Sequence, residues 1–175
     1  MPQTDFSRLA GAAFAILLLA SPAVTQLPKQ TPPPEKVDRV LVLKHQHILR
    51  LLHGNQLIKE YKVALGGTPV GPKTQQGDHK TPEGKYVLDS RNLHSQYYRS
   101  LHISYPTAEQ TKLARNRGVS PGGDVYIHGL PNGERMVGAA HRLRDWTDGC
   151  VAVTDEEMDE IWAAVPTGTP IEIRP

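Results

Sequence analysis

The sequence is nearly free of cysteine: among 175 residues only Cys150 carries a thiol. An intrachain disulfide framework is therefore excluded, and the chain must hold its fold by packing alone. No apolar run is long enough to cross a bilayer squarely. The run from Leu9 to Ala20 has twelve residues, which would span about 18 Å as a helix against a hydrocarbon core of about 30 Å. There is no internal repeat, and a formal net charge of +2 gives no basis for a nucleic-acid partner. Gly66 and Gly71 have the separation of a phosphate-binding loop, but Pro72 stands where a lysine must follow, so the stretch reads as a glycine-proline loop.

What is present divides into three parts. Arg8, the apolar run and then Ser21-Pro22-Ala23 make residues 1–25 an export signal by pattern, an uncleaved N-terminal anchor being the alternative. Residues 26–36, with Pro28 and Pro32-Pro33-Pro34, read as an extended tether. Residues 37–175 suffice for one domain. Its β-branched and aliphatic runs at Val37 to Leu43, Ile48 to Leu52 and Leu57 to Leu65, separated by turns, predict an antiparallel meander. Leu101 to Tyr105 alternates as a further strand, Thr107 to Arg117 reads as a capped helix, and Val125 to Gly129 as a strand ending in His128. Thr154 and Glu157, three apart, form a capping box that opens a helix with Met158, Ile161, Trp162 and Val165 on one face. Pro166 stops that helix, and Pro170 to Ile173 supplies a last strand. The pattern predicts a mainly β domain with two or three attached helices.

A lone thiol in an exported protein has three readings: a reactive group, an intermolecular bridge or an inert buried residue. Its neighbours favour the first. Cys150 sits between Gly149 and Val151-Ala152-Val153, a sequence suited to a tight strand end whose Gly149 and Cys150 N–H groups can face a developing oxyanion. His128, twenty-two residues upstream, lies at the end of a strand and is the candidate base. Gly129 would leave its carbonyl free to hold the second ring nitrogen. His45 and His47 read as polar residues beside a turn, since no further ligand follows at metal spacing.

At these residues the chain resembles the L,D-transpeptidases of bacterial cell-wall biosynthesis, the YkuD or ErfK type. The resemblance rests on His128-Gly129, on Thr147-Asp148-Gly149-Cys150-Val151-Ala152, and on Lys80-Thr81-Pro82-Glu83-Gly84-Lys85-Tyr86. Asp148 stands where the family usually has a second histidine, and Ala152 where it has Arg or Asn. Both departures look like the YafK-like branch, as does the run from Trp146 through the Thr154-Asp155-Glu156-Glu157 helix start. The resemblance implies a β-sandwich-like catalytic fold, a thioester on Cys150, His128 as base and then acid, and an oxyanion held near Gly149. It implies peptidoglycan stem peptides as substrate, an amine of a second stem or of a wall-linked lipoprotein as acceptor, and no metal or organic cofactor. Water as acceptor gives a hydrolytic alternative, and an exported wall-binding module with an idle thiol a non-enzymatic one. The loop from Leu130 to Trp146 must border the thiol. In it Arg144 or Arg142 is expected to recognise a stem-peptide carboxylate in place of the residue lost at Ala152, with Asp148 and Trp146 as further substrate-binding candidates, although Trp146 reads more readily as packing under the loop. The enzyme reading also predicts a depressed thiol pKa.

Overall fold

A computed structural model of the chain describes residues 36–175; the expected export signal and nearly all of the tether lie outside the described residues. Strands β1 (Arg39–Leu43), β2 (Ile48–His53) and β3 (Gln56–Lys62) form the expected antiparallel meander. Strand β4 (Gly84–Ser95) and β5 (Tyr98–Ile103) make a long hairpin. Helix α1 (Ala108–Asn116) leads to the short β6 (Tyr126–His128) and, after a 3-10 segment at Arg135–Leu143, to the two-residue β7 (Val151–Ala152). Helix α2 (Asp155–Ala164) and β8 (Thr169–Arg174) complete the chain.

The eight strands form one sheet in the order β3-β2-β1-β8-β4-β5-β6-β7. Two of its pairs, β1 with β8 and β6 with β7, are parallel, so the sheet is mixed rather than wholly antiparallel. It also curls, because the chain just past β3 returns to the far edge: Ala64 bridges Ala152 and Gly66 bridges Thr147. Alternation decides the inner face. Val40 and Val42 of β1 and Ile171 and Ile173 of β8 point inward and are buried, while their neighbours along each strand are not. Leu49, Leu101, Ile103 and Ile127 join them, and α2 adds Met158 and Ile161. Burying each of those two helix side chains contributes about 1.5–3 kcal/mol, which fixes α2 against the sheet beside the strand end that carries His128.

Both helices begin as the sequence predicts. Thr107 caps α1 reciprocally with Gln110, and Thr154 caps α2 reciprocally with Glu157. Lys44, expected in an ordinary polar turn, is instead buried. Its ammonium donates to the Gly71 and Thr81 carbonyls and pairs with Glu83 at 2.8 Å, so the strandless stretch between β3 and β4 is tied to the sheet. That tie matters because the same stretch packs under the thiol.

Candidate active site

The parallel pairing of β6 and β7 sets the central geometry. His128 faces Ala152 in register, and Cys150 lies two residues before Ala152. Side chains alternate with a period of two, so extending the register one residue beyond β7 puts Cys150 and His128 on one face of the sheet as diagonal neighbours. Both line a cleft of about 650 Å³ together with residues of the β4–β5 hairpin, Tyr126 and the stretch Trp146 to Asp148.

The imidazole is held from several sides. Its Nδ1–H donates to the Gly129 carbonyl at 2.6 Å, which leaves Nε2 as the acceptor nitrogen. The His128 carbonyl accepts from the Val153 N–H at 3.0 Å. Asp155, at the start of α2, accepts from the Leu130 N–H at 2.9 Å, and a Cβ at residue 129 would lie 2.6 Å from the same carboxylate. Glycine at 129 is thus a packing requirement. The ring packs against Tyr97, at a centroid distance of 4.6 Å, and Trp146, at 5.7 Å, which also touch each other at 6.0 Å, and only 3% of the residue is exposed. Such burial disfavours the charged form and pushes the imidazole down to about 4, with nearby His141 acting in the same direction.

The thiol keeps part of its surface open to the cleft. Its sulfur receives the Tyr126 N–H and lies 3.7 Å from the Asp124 carbonyl. Burial pushes the thiol up to about 11 against the opposing hydrogen bond from the Tyr126 N–H; the charge of Asp148 adds to the rise, Lys73 pulls the other way, and Asp124 adds a smaller push. This corrects the expectation of a depressed thiol. The resting pair is a neutral thiol beside a neutral imidazole, because enclosure costs each its charged form.

The turn that carries Cys150 is fixed by its backbone. Thr147 accepts from Gly67 N–H through its carbonyl and donates from its hydroxyl to the Cys150 carbonyl at 2.9 Å. The Gly149 N–H donates to the Thr147 hydroxyl at 3.1 Å, so in this structure it turns inward rather than toward an oxyanion. Gly149 has φ of +131°, and a Cβ there would sit 2.5 Å from the Lys80 carbonyl oxygen. Gly66 is pressed in the same way, its Cβ position falling 2.4 Å from the His79 oxygen. Three segments, 64–68, 78–81 and 147–150, therefore interlock at backbone distance.

The loop candidates separate. Arg142 is paired with Glu157 of α2, and Arg144 lines a neighbouring cavity with Leu130, His141 and Trp146 rather than the cleft. Neither expected arginine reaches the thiol's cleft. Trp146 forms the wall between the two spaces and lines both. Asp148 lies on the cleft, its carboxylate 2.7 Å from His79 Nδ1. His47, read as a turn residue, pairs with Asp145 at 2.9 Å, and Asp145 also accepts from the Leu65 N–H. Among the described residues no cluster of His, Cys, Asp and Glu could hold a metal ion. Tyr97 went unnoticed in the sequence, while His79 reads there as part of a structural turn and Asp155 as part of a helix start; all three reach the site through contacts between segments distant in sequence.

Residues 37–173 match the L,D-transpeptidase catalytic domain family, YkuD. The chain belongs to that family. It is 33% identical over 113 residues to the putative L,D-transpeptidase YafK of Escherichia coli K12, an alignment covering 63% of this chain and 38% of that protein. The fold is similar to that of the helical cell shape determining protein Pgp2 from Campylobacter jejuni, with a TM-score of 0.60 and 25% identity, over 79% of this chain and 47% of the other. It is also similar to Bdellovibrio bacteriovorus Bd1075, with a TM-score of 0.54 and 25% identity, over 79% and 48% of the two chains. The chain thus spans less than half the length of each of these relatives. The curled, mostly stranded sheet with attached helices is the L,D-transpeptidase fold that the sequence resemblance implies, and an L,D-transpeptidase from Xylanimonas cellulosilytica shares it at a TM-score of 0.51 and 17% identity.

Proposed function

We propose that this chain is a cysteine-dependent L,D-transpeptidase that acts on peptidoglycan stem peptides in cell-wall cross-linking or remodelling, in the exported cell envelope. The observation that carries the proposal is the placement of Cys150 and His128 as diagonal neighbours on one sheet face, opening on one cleft, with the far side of the imidazole held by the Gly129 carbonyl. That bond fixes the tautomer whose Nε2 accepts a proton.

Because the resting pair is neutral, the proton moves from sulfur to Nε2 as the sulfur attacks rather than beforehand. The electrophile is the carbonyl at the L-centre of the third stem residue. A C–S bond forms, the C–N bond to the terminal D-alanine breaks, and the imidazolium returns its proton to the departing amine. An amine of a second stem, or of a wall-linked lipoprotein, then attacks the thioester. The new C–N bond replaces the C–S bond, the amine proton passes through His128, and the thiol is restored. The relation to Pgp2 supports a role in cell shape for the same chemistry.

Incubation of the protein with purified disaccharide-tetrapeptide muropeptides, followed by mass spectrometry of products and of the intact protein, tests this reading. Cross-linked dimers and an acyl adduct on Cys150 are expected, and both vanish in Cys150→Ala. Tripeptide products without dimers would instead assign the thioester to hydrolysis. Unchanged muropeptides and an unmodified thiol would leave only a wall-binding module.

A further inference from the structure

The cleft carries the opposite charge from the one the arginine loop suggested. Its lining includes Asp124 and Asp148 and, among the described residues, no lysine or arginine. Asp148 has an 89% exposed side chain, yet it is not an idle surface acid. It is two residues from the nucleophile, and its charge is felt at the thiol.

Its partner is delivered with care. His79 adopts a left-handed backbone with φ of +51°, uncommon for a residue with a side chain. That conformation is held because the His79 carbonyl accepts from the Thr68 N–H at 2.9 Å and because Gly66 leaves room for the close approach. The neighbouring Lys80 carbonyl presses on Gly149. The imidazole is thereby brought to Asp148 by the same interlock that fixes the nucleophile turn, and its Nδ1–H donates to the carboxylate at 2.7 Å. Strain kept beside a reacting group invites a functional account.

We propose that Asp148 is a specificity-determining residue that binds the substrate's ammonium group at the cleft mouth, with His79 as the positioning residue that holds its carboxylate. The inference rests on the stem-peptide reading and names what the cleft recognises: the side-chain amine of a diamino acid at the third stem position. A carboxylate fixed by one hydrogen bond keeps its other oxygen for the ammonium, whereas a free carboxylate would have to be ordered by the ligand. Charge compensation has a second consequence. An ammonium seated on Asp148 cancels one of the negative charges that oppose thiolate formation, so the right substrate eases ionisation of its own nucleophile.

Calorimetric titration of the Cys150→Ala protein separates binding from turnover. The probes are the tetrapeptide L-Ala-γ-D-Glu-diaminopimelate-D-Ala and the same peptide with its side-chain amine acetylated. Acetylation is expected to weaken binding about three- to fivefold, the range of an exposed ion pair, and 0.5 M salt to erase most of the difference. Adding D148N should weaken the free-amine peptide by the same factor and leave the acetylated one unchanged. Adding D148E should restore the preference, and H79A should lose about half of it. Equal Kd values for the two peptides, or equal losses for both on D148N, overturn the inference. Failure of either peptide to bind overturns it together with the stem-peptide reading. Normal discrimination in a protein whose wild-type form makes no acyl adduct would sink the transpeptidase reading alone.

Discussion

Two glycine-containing stretches border the cleft region and are built in opposite ways. The floor, where residues 64–68, 78–81 and 147–150 interlock, is held by backbone hydrogen bonds and by glycines with carbonyl oxygens pressed against them. The loop at 135–144 is two short 3-10 turns joined across Gly138, leaving Met136 and Leu143 almost fully exposed. Its ties to the domain include the ion pairs of Arg135 with Glu156 and of Arg142 with Glu157. The difference teaches where the chemistry can reside. A nucleophile needs a position fixed to a fraction of an ångström, which interlocked backbone supplies and a loop on long side chains does not.

The sharpest way to break the contrast is to place the same methyl group in both regions. Gly149 and Gly138 both have positive φ, +131° and +48°. A Cβ at Gly138 meets nothing within 4 Å, whereas at Gly149 it meets a backbone oxygen at 2.5 Å. Gly138→Ala should cost about 1 kcal/mol, from conformational strain alone. Gly149→Ala adds a clash with main chain that cannot rotate away and should cost on the order of 3 kcal/mol, with loss of acylation. Urea denaturation of the two variants checks this. Equal costs would mean that the floor yields as easily as the loop.

A smaller effect follows from pH, because enclosure has moved two titrations. His128 is pushed down to about 4, below the ordinary histidine value of 6.5, so the unfolded chain binds more protons between those values. Stability therefore falls as pH drops from 6.5 toward 4, by about 2–3 kcal/mol for this group. His141, also pushed to about 4 by burial, adds to the same slope. Cys150 is pushed up to about 11 from 9, so stability is lost again as pH rises through that interval. Urea midpoints should form a plateau between about pH 6.5 and 9. A Cys150→Ala protein should keep the acid limb and lose part of the alkaline one. An alkylation rate that rose with an apparent thiol pKa near 6 would overturn the neutral resting pair.

What was legible in the sequence was local or periodic. The cap at Thr107 and the capping box at Thr154 depend on residues within one turn of each other, and the alternation of β1 and β8 depends on residues two apart. The two members of the candidate dyad were legible because a lone thiol and a strand-end histidine have few readings. The parallel pairing of β1 with β8 joins opposite ends of the domain, and no local pattern announces it. The same holds for Tyr97, which covers His128 from a hairpin tip, and for His79, whose link to Asp148 spans 69 residues. The rise in the thiol's pKa was missed for another reason. A motif reports which groups meet but not how much water the fold leaves around them.

The smallest expected effect tests the loop side directly. Arg144 belongs to the most natural sequence argument for carboxylate recognition, a guanidinium near the candidate nucleophile in sequence. The fold defeats that argument through Trp146, which stands between the cleft and the cavity that Arg144 lines. An exposed charge separated from the ligand by an aromatic wall acts only through screened solvent, where its contribution is a few tenths of a kcal/mol. Arg144→Ala should therefore change the Kd of the tetrapeptide for the Cys150→Ala protein by less than about twofold, below the loss expected for Asp148→Asn. A larger loss would mean that the loop folds over Trp146 when substrate binds, and the division between a working floor and a peripheral loop would have to be redrawn.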